Sequence, residues 1–239
     1  MPATPDPHRT DDAVHHLARI RRAAGSPGEH EAARWIADRL RDLGADARVE
    51  EECVHGTYWW PLGLLNAVGV GAALLSRGRR WPGALLALAA TAGLGDDLDH
   101  RSRAFRRMAL PRRVTCNVVA HVGDRAAART ALVVVHHDAA HGGAVFDPRP
   151  IHLFARLAPR RHARSTRWPP LLWTVIGGPL LVALGAATGW PGVRDAGALL
   201  AAGAVGFMVD IGRRAAVPGA NDNASGVAAM LRVAEALRD

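Results

Sequence analysis

The sequence predicts an α/β protein, with a mixed sheet flanked by helices and interrupted by two hydrophobic helical hairpins. Three observations lead to this prediction. A capped amphipathic helix near the N-terminus and β-type runs further along the chain indicate a domain with its own core. Two pairs of long uncharged stretches lie between these segments. The chain has 239 residues, which is enough for one such domain with inserts.

Two helices are predicted at the start of the chain. Residues 11–24 have the spacing of a short amphipathic helix. A second helix begins after Ser26, a good N-cap, with Pro27 in its first turn and Glu29 completing a capping box. Gly44 follows as the residue that ends it. Its apolar residues recur at helical spacing and predict one buried stripe. The stripe comprises Ala32, Ile36, Leu40 and Leu43.

Three β-type segments follow these helices. Residues 47–54 are predicted to form an edge strand, and residues 114–122 a second strand. Residues 131–135 (ALVVV) form a fully apolar, β-branched run, which is typical of a strand buried on both faces of a sheet. Open α/β sheets place their ligands at such strand ends. The polar residues that follow position 135 are therefore candidates for function.

Two hydrophobic blocks separate the soluble segments. Residues 57–98 contain uncharged runs of 20 and 15 residues, and residues 168–210 contain uncharged runs of 26 and 14 residues. A bilayer-spanning helix needs ~20 apolar residues, so the first run of each block is long enough and the second is short. Tryptophans stand at segment ends, where interfacial aromatics belong. We expect two membrane-embedded hairpins; a greasy helical cap on a soluble domain is the alternative. The tryptophans at the ends of the uncharged segments are Trp59, Trp60 and Trp81.

The basic balance of the chain comes entirely from arginine. The formal net charge is +8, with 30 basic residues against 22 acidic ones and no lysine. Such a balance favours anionic partners such as lipid headgroups or nucleic acid. The arginine clusters lack interleaved aromatic residues and match no nucleic-acid-binding motif. We therefore expect membrane lipid, and not nucleic acid, as a partner.

Two polar clusters are candidates for chemistry. In the first, His136-His137-Asp138, residues i and i+2 point to the same side of an extended chain. The His136 imidazole is a potential zinc ligand and the Asp138 carboxylate can orient it, while His137 points away. An ordinary polar strand end is the alternative. In the second cluster, residues 218–226 (PGANDNASG), the Asp222 carboxylate would bridge two metals. Alternatively, Asp222 or Asn223 caps the helix that follows.

Together these clusters resemble the di-zinc aminopeptidase family, which includes bacterial leucine aminopeptidases and is related to glutaminyl cyclases. The segments that match are GSPGEHEAARWIADRLRDLGA, NVVAHV…ALVVVHHDAAHGG and VPGANDNASGVAAMLRVAEAL, and they cover less than half of the chain. The resemblance implies a zinc-exopeptidase-like fold and a peptide substrate. It also implies that His136 is a zinc ligand, that Asp138 orients it, and that Asp222 bridges two zinc ions that activate a water. Family members tend to have a strained peptide bond at the position of Asp222–Asn223.

The chain departs from the family in two respects. The hydrophobic blocks are inserts in connections, which tolerate insertion best. The family also needs a Glu-Glu pair, an Asp and a His beyond the helix that follows Asp222, and the sequence ends at Asp239. Two zinc ions held by His136 and Asp222 alone would be under-coordinated. We therefore expect this 239-residue chain on its own to be inactive as a peptidase.

The predicted organisation alternates peptidase-like parts with hydrophobic hairpins, and the parts lie on one side of the membrane if the hairpins span it. Arginines are more frequent beside these parts than at the hairpin tips, so the positive-inside rule places the catalytic side in the cytoplasm. Many peptidases of the family are exported, which argues the other way. The peptidase-like parts are residues 11–56, 99–150 and 216–239, and the hairpins are residues 57–98 and 168–210.

Three functional hypotheses follow, in order of preference. The first is a membrane-anchored zinc exopeptidase of the aminopeptidase type. The second is a non-catalytic membrane protein that keeps the peptidase fold as a binding or scaffold module. The third is a membrane bundle, such as part of a transporter, with accidental motifs. Its expected mark is a set of ionisable residues inside the apolar segments, and the sequence lacks it.

Overall fold

A computed structural model describes residues 7–160 and 171–237 of the chain. Helices and strands are both present, as the sequence predicted, but helices dominate and the sheet has two antiparallel strands. The helices are α1 (Pro7–Arg19), α2 (Pro27–Asp42), α3 (Trp59–Leu75), α4 (Arg80–Leu98), α5 (Ala104–Ala109), α6 (Pro148–Leu157), α7 (Leu171–Thr188), α8 (Pro191–Arg213) and α9 (Ser225–Ala236). The strands are β1 (Asp46–His55) and β2 (Arg112–His121).

The chain divides into two compact units, each assembled from separated segments. The first unit comprises Met1–Val54, Arg112–Gly142 and Ala215–Asp239, and the second comprises His55–Pro111 and Gly143–Arg214. Residues 99–111 and 143–150, which the sequence grouped with the peptidase-like parts, therefore belong to the second unit. Within that stretch Arg106 forms a two-pronged ion pair with buried Asp97 at the end of α4, with both N–O distances 2.8 Å.

Local signals set the bounds of α2 in the first unit. The Ser26 side chain accepts a hydrogen bond from the Glu29 backbone N–H at 3.3 Å. The Glu29 carboxylate reaches back to the N–H of Gly25 at 2.7 Å, one residue earlier than in the usual capping box. At the other end Gly44 has φ +82°, a conformation that favours glycine. Both ends of α2 thus lie where the sequence predicted them.

The core of the first unit lies between helices α1, α2 and α9. Leu17 of α1 and Val227 of α9 are fully buried, and Ile36 and Leu40 of α2 are each 2% exposed. Burying an aliphatic side chain of this size contributes ~1.5–3 kcal/mol. The predicted stripe is confirmed for Ala32, Ile36 and Leu40, whereas Leu43 caps the helix and is partly buried. Strand β2 packs against the same helix.

The strand predicted at residues 131–135 is wrong. This segment has no regular secondary structure, and Leu132 and Val134 are 87% and 78% exposed. A strand buried on both faces needs hydrogen-bonding neighbours on both edges. Within the described ranges the sheet consists of β1 and β2 and gives this run no partner. The composition of the run is that of a buried strand, but the hydrogen-bonded pairing that a strand requires must come from segments far away in the sequence.

The second unit is built from the long helices α3, α4, α7 and α8. Its interior contains many small residues beside a cluster that includes Leu62, Leu65 and Leu94, and many other large apolar residues are exposed. Helices α7 and α8 approach closely, since a Cβ added to Gly197 of α8 would lie 2.7 Å from the carbonyl oxygen of Gly178 on α7. The buried small residues include Ala72, Ala73, Ala84, Ala87, Ala90, Ala183, Ala186, Ala201 and Ala204. The exposed large ones include Leu74, Trp81, Leu85, Leu88, Trp173, Leu184, Trp190 and Leu199.

One described helix, α8, is long and apolar enough to cross a membrane. Its apolar window has a mean hydropathy of 1.4, and 22% of that window is buried, unlike the core helix of a soluble protein. Helix α3 and residues 173–188 of α7 are apolar but shorter. From the lengths of the uncharged runs, we predicted that the first helix of the second block, and not the second, is long enough to span a bilayer. The helix continues through Arg194, Asp195 and Asp210, which a charge-free count excludes.

Candidate metal centre

Two loops of the first unit carry His136 and Asp222 and are joined by hydrogen bonds. The N–H of Val217 donates to the carbonyl of Ala140 at 2.9 Å. The Asn223 side-chain amide donates to the backbone carbonyl of His136 at 3.1 Å. The Asp222–Asn223 peptide bond, at the position where the resemblance implied a strained bond, is cis. These contacts place the two chain segments side by side just before α9 begins.

Of the three residues predicted for the site, His136 contacts both of the others, Asp138 and Asp222. Nε2 of His136 lies 3.1 Å from Oδ1 of Asp222, and Nδ1 lies 3.2 Å from Oδ1 of Asp138. A neutral imidazole whose Nδ1–H donates to Asp138 presents its Nε2 lone pair to the Asp222 oxygen. Two lone pairs then face each other, which is the arrangement that a cation placed beside both atoms satisfies.

The donor types and their separation fit zinc. Zinc binds imidazole nitrogen and carboxylate oxygen at ~2.0–2.2 Å in tetrahedral sites, so two of its ligand atoms stand roughly 3.3–3.5 Å apart. The observed 3.1 Å between Nε2 of His136 and Oδ1 of Asp222 is close to that separation. The side chains of His136 and Asp222 are 54% and 73% exposed, so solvent and small molecules can reach the pair.

His137 is oriented differently from its neighbours. Its Nε2 is buried and forms no hydrogen bond with the described residues. Burial lowers the pKa of His137 below its ordinary value, although the nearby charge of Glu29 opposes this. The ring is therefore neutral at physiological pH. His136 and Asp138 contact each other, and His137 takes no part in their contact.

A second group of possible ligand atoms was not predicted from the sequence. Ligand atoms of Glu29, His30 and Cys116 lie within 4.8 Å of one another. Both carboxylate oxygens of Glu29 already accept hydrogen bonds, from the Gly25 N–H at 2.7 Å and the Thr115 hydroxyl at 2.6 Å. Burial raises the pKa of the Cys116 thiol to about 11, so the thiol stays protonated near neutral pH. The group is better explained as a helix-capping network beside a buried thiol.

Sequence reasoning also missed Arg22 and the amide of Asn223. Arg22 is fully buried. Its guanidinium donates hydrogen bonds to backbone carbonyls in both loops, the one that carries His136 and the one that carries Asp222. In the sequence Arg22 is one arginine of an Arg-Ile-Arg-Arg run, and nothing in its spacing distinguishes it from Arg19 or Arg21. The amide of Asn223 was considered only as a helix cap.

No protein family, curated protein or solved structure matches the chain. The resemblance to di-zinc aminopeptidases therefore rests on the three sequence segments and on the chemistry of the residues that the fold brings together.

Proposed function

We propose that the chain is a membrane-associated, zinc-dependent exopeptidase of the aminopeptidase type, in which His136 and Asp222 bind metal. The observation that supports this most strongly is the convergence of Nε2 of His136 and Oδ1 of Asp222 to 3.1 Å from two segments far apart in the sequence. Asp138 stands behind His136 and completes a carboxylate–histidine pair.

Each residue has a distinct task in this proposal. Asp138 holds the proton of His136 on Nδ1 and thereby keeps Nε2 available as a ligand. Asp222 directs Oδ1 towards His136 and would hold zinc together with it, and its second carboxylate oxygen would serve the second zinc ion that the resemblance implies. When bound there, zinc would supply Lewis-acid polarisation of a peptide carbonyl and a lowered pKa of bound water. The exposure of the pair leaves room for the end of a peptide.

The described residues supply two donors to this position. No third Asp, Glu, His or Cys ligand atom of residues 7–160 and 171–237 joins the donors of His136 and Asp222 within 4.8 Å. Zinc needs four ligands, and hydrolysis also needs a general base. We therefore expect the 239-residue chain to bind zinc without rapid turnover. The same observation favours the second candidate function, a non-catalytic module that retains the peptidase fold.

Calorimetric titration of the purified full chain in detergent with Zn²⁺ tests the metal site. Binding should be lost in His136→Ala and in Asp222→Ala. His152→Ala, a histidine exposed on α6, is the matched control and should bind as the wild type does. Equal zinc affinity in all four proteins would refute the proposed site.

A second measurement separates the two candidate functions. An amino-acid hydroxamate offers two oxygen ligands and mimics the end of a peptide, so it should bind only when zinc is present and only when His136 is intact. A scaffold without an open metal position would not bind it. Clear aminopeptidase turnover by this chain, lost in His136→Ala, would overturn the expectation that it is inactive alone.

We also propose that the second unit is a multi-pass membrane domain whose partner is lipid. Membrane helices pack through small residues because lipid supplies no hydrophobic drive between them, and they expose large apolar residues to acyl chains. The second unit has buried alanines and closely packed glycines such as Gly178 and Gly197 between its helices, and many of its leucines and tryptophans are exposed. Helices of 17 to 23 residues are ~26–35 Å long, against a hydrocarbon thickness of ~30 Å.

Single-cysteine labelling tests the membrane topology. Gly78 and Gly192 lie at the hairpin tips, and a side chain at either position would meet no atom within 4 Å. In a background without native cysteines, Gly78→Cys and Gly192→Cys should be labelled from outside intact cells. A chain with only Cys53, which is exposed on β1, should be labelled from the cytoplasm, as the arginine distribution predicts. Release of the protein by alkaline carbonate would contradict membrane insertion.

A further inference from the structure

Arg22 is the fully buried arginine that follows α1 in the first unit. Burying a guanidinium is costly unless its N–H groups are paired. No carboxylate of the described residues forms an ion pair with Arg22, and its described hydrogen-bond partners are backbone carbonyl oxygens. These partners lie in three separate segments of the first unit.

The hydrogen bonds of Arg22 reach both loops of the proposed metal site. Nε donates to the carbonyl of His137 at 2.8 Å, between the two residues of the carboxylate–histidine pair. Nη1 donates to the carbonyl of Pro218 at 2.7 Å and Nη2 to that of Gly219 at 2.6 Å, just before Asp222. Nη1 also donates to the carbonyl of Leu17 in the preceding helix α1 at 2.6 Å.

The backbone of Arg22 adds a further link to the histidine loop. Its carbonyl oxygen accepts the N–H of Ala139 at 2.8 Å, so the arginine holds this loop on both sides of Asp138. On the other loop, Gly219 has φ +61°, and a Cβ there would lie 2.7 Å from Nη2 of Arg22. The glycine therefore both permits the turn and makes room for the guanidinium.

The charge of Arg22 acts on the carboxylates of the site. Burial lowers the pKa of Arg22, while the charges of Asp138 and Asp222 raise it. The guanidinium and the two carboxylates therefore attract each other through space, which favours the packing of both loops around Arg22. A neutral side chain of similar size would fill the space without supplying this charge.

We propose that Arg22 is a positioning residue for the metal centre, a fork that fixes the His136 loop against the Asp222 loop so that their donor atoms converge. This inference rests on the proposed function, because the geometry that it explains is that of the proposed zinc ligands. Arg22 itself touches neither zinc nor substrate.

The test compares Arg22→Lys and Arg22→Met with the wild type in Zn²⁺ titrations and in Co²⁺ absorption spectra. Lysine keeps the charge but lacks the planar fork, and methionine lacks both. We expect the zinc dissociation constant to rise ~10- to 100-fold in Arg22→Lys and further in Arg22→Met, the range seen when groups that orient metal ligands are removed. The Co²⁺ bands should weaken in the same order. Ile36→Ala, a core substitution in α2, is the control for destabilisation alone and should keep wild-type zinc affinity and spectrum.

Two results would overturn the proposal. If both Arg22 variants fold and bind Zn²⁺ and Co²⁺ as the wild type does, Arg22 is a core residue only, and the proposed metal site still stands. If the wild type shows no His136-dependent zinc binding, the proposed function fails and this inference fails with it.

Hydrogen exchange provides the test should the variants not fold. In the wild type, added Zn²⁺ should slow exchange of the Ala139 N–H, which is bonded to Arg22, at least several-fold. An unchanged rate, in a sample shown by calorimetry to bind zinc through His136, would count against coupling between Arg22 and the metal centre.

Discussion

Oδ1 of Asp138 lies 3.2 Å from Nδ1 of His136, the ring nitrogen that does not face Asp222. The two residues are separated by one position, so an extended backbone presents them to the same side. A carboxylate in this place selects the tautomer with its proton on Nδ1 and increases the basicity of Nε2. The proposed site is thus built around the imidazole of His136, which lies between the carboxylates of Asp138 and Asp222.

Replacing Asp138 tests this unit. Asp138→Ala removes the acceptor for Nδ1–H and leaves both metal donors in place, so we expect zinc affinity to fall ~10- to 100-fold without loss of the fold. Asp124→Ala, in an exposed turn of the same unit, is the control. Calorimetry and circular dichroism measure the two quantities, and an unaltered zinc affinity in Asp138→Ala would show that the contact has no role in metal binding.

The close approach of α7 and α8 leads to a prediction about the second unit. A Cβ at Gly197 would lie 2.6 Å from the backbone nitrogen of Val182, whereas one at Gly203 on the same helix meets nothing within 4 Å. Gly197→Ala should destabilise the bundle by roughly 1–3 kcal/mol through overpacking. Gly203→Ala should be neutral or stabilising by up to ~1 kcal/mol, because alanine favours helix. Thermal unfolding in detergent measures both, and equal midpoints would contradict the close packing of α8 against α7 at Gly197.

The parts of the fold that the sequence predicted are those set by neighbouring residues. Ser26 and Gly44 bound α2 because capping and left-handed backbone are local chemistry. The run at residues 131–135 shows the limit of such reasoning. Its composition is that of a buried strand, but a strand exists only where other segments supply hydrogen bonds, and a single sequence does not show which segments those are.

The proposed site shows the same difference between what neighbouring residues determine and what distant segments determine. His136, Asp138 and Asp222 could be proposed because their residue types and spacing are those of a metal-binding pattern, and the structure brings them into contact. Arg22 could not be proposed, because its place in the site depends on carbonyl groups of two segments far away along the chain. The burial that distinguishes it from Arg21, which is exposed, is a property of the packed molecule.

Thr115 gives a test of the network around Glu29. Its hydroxyl donates to the buried Glu29 carboxylate at 2.6 Å. Thr115→Val keeps the shape and removes the donor, so it should lower the free energy of unfolding by about 1–3 kcal/mol, the range for an unsatisfied buried acceptor. Thr115→Ser retains the hydroxyl and should lose less. If valine and serine were equivalent in chemical unfolding, the Glu29 carboxylate would have to find its partners elsewhere.

The two cysteines should differ sharply in reactivity towards iodoacetamide. Cys53 is exposed and Cys116 is 1% exposed, and burial raises the pKa of Cys116 from 9.0 to about 11. The thiolate is the reactive form, so at pH 8 the folded chain should be alkylated at Cys53 at least ~100-fold faster than at Cys116, as followed by mass spectrometry. Comparable rates at the two sites would contradict the burial of Cys116.

The same shift makes stability depend on alkaline pH. Below pH 9 the Cys116 thiol is protonated in both the folded and the unfolded chain, and its contribution to stability is fully present. Between pH 9 and about 11 the unfolded chain loses this proton while the folded chain retains it, so the free energy of unfolding falls as the pH rises. Cys116→Ala should lack this part of the decline, on the order of 2 kcal/mol. Urea unfolding in detergent at pH 8 and pH 10.5 provides the comparison, with Cys53→Ala as the control. Parallel declines in wild type and Cys116→Ala would show that the buried thiol does not control this pH dependence.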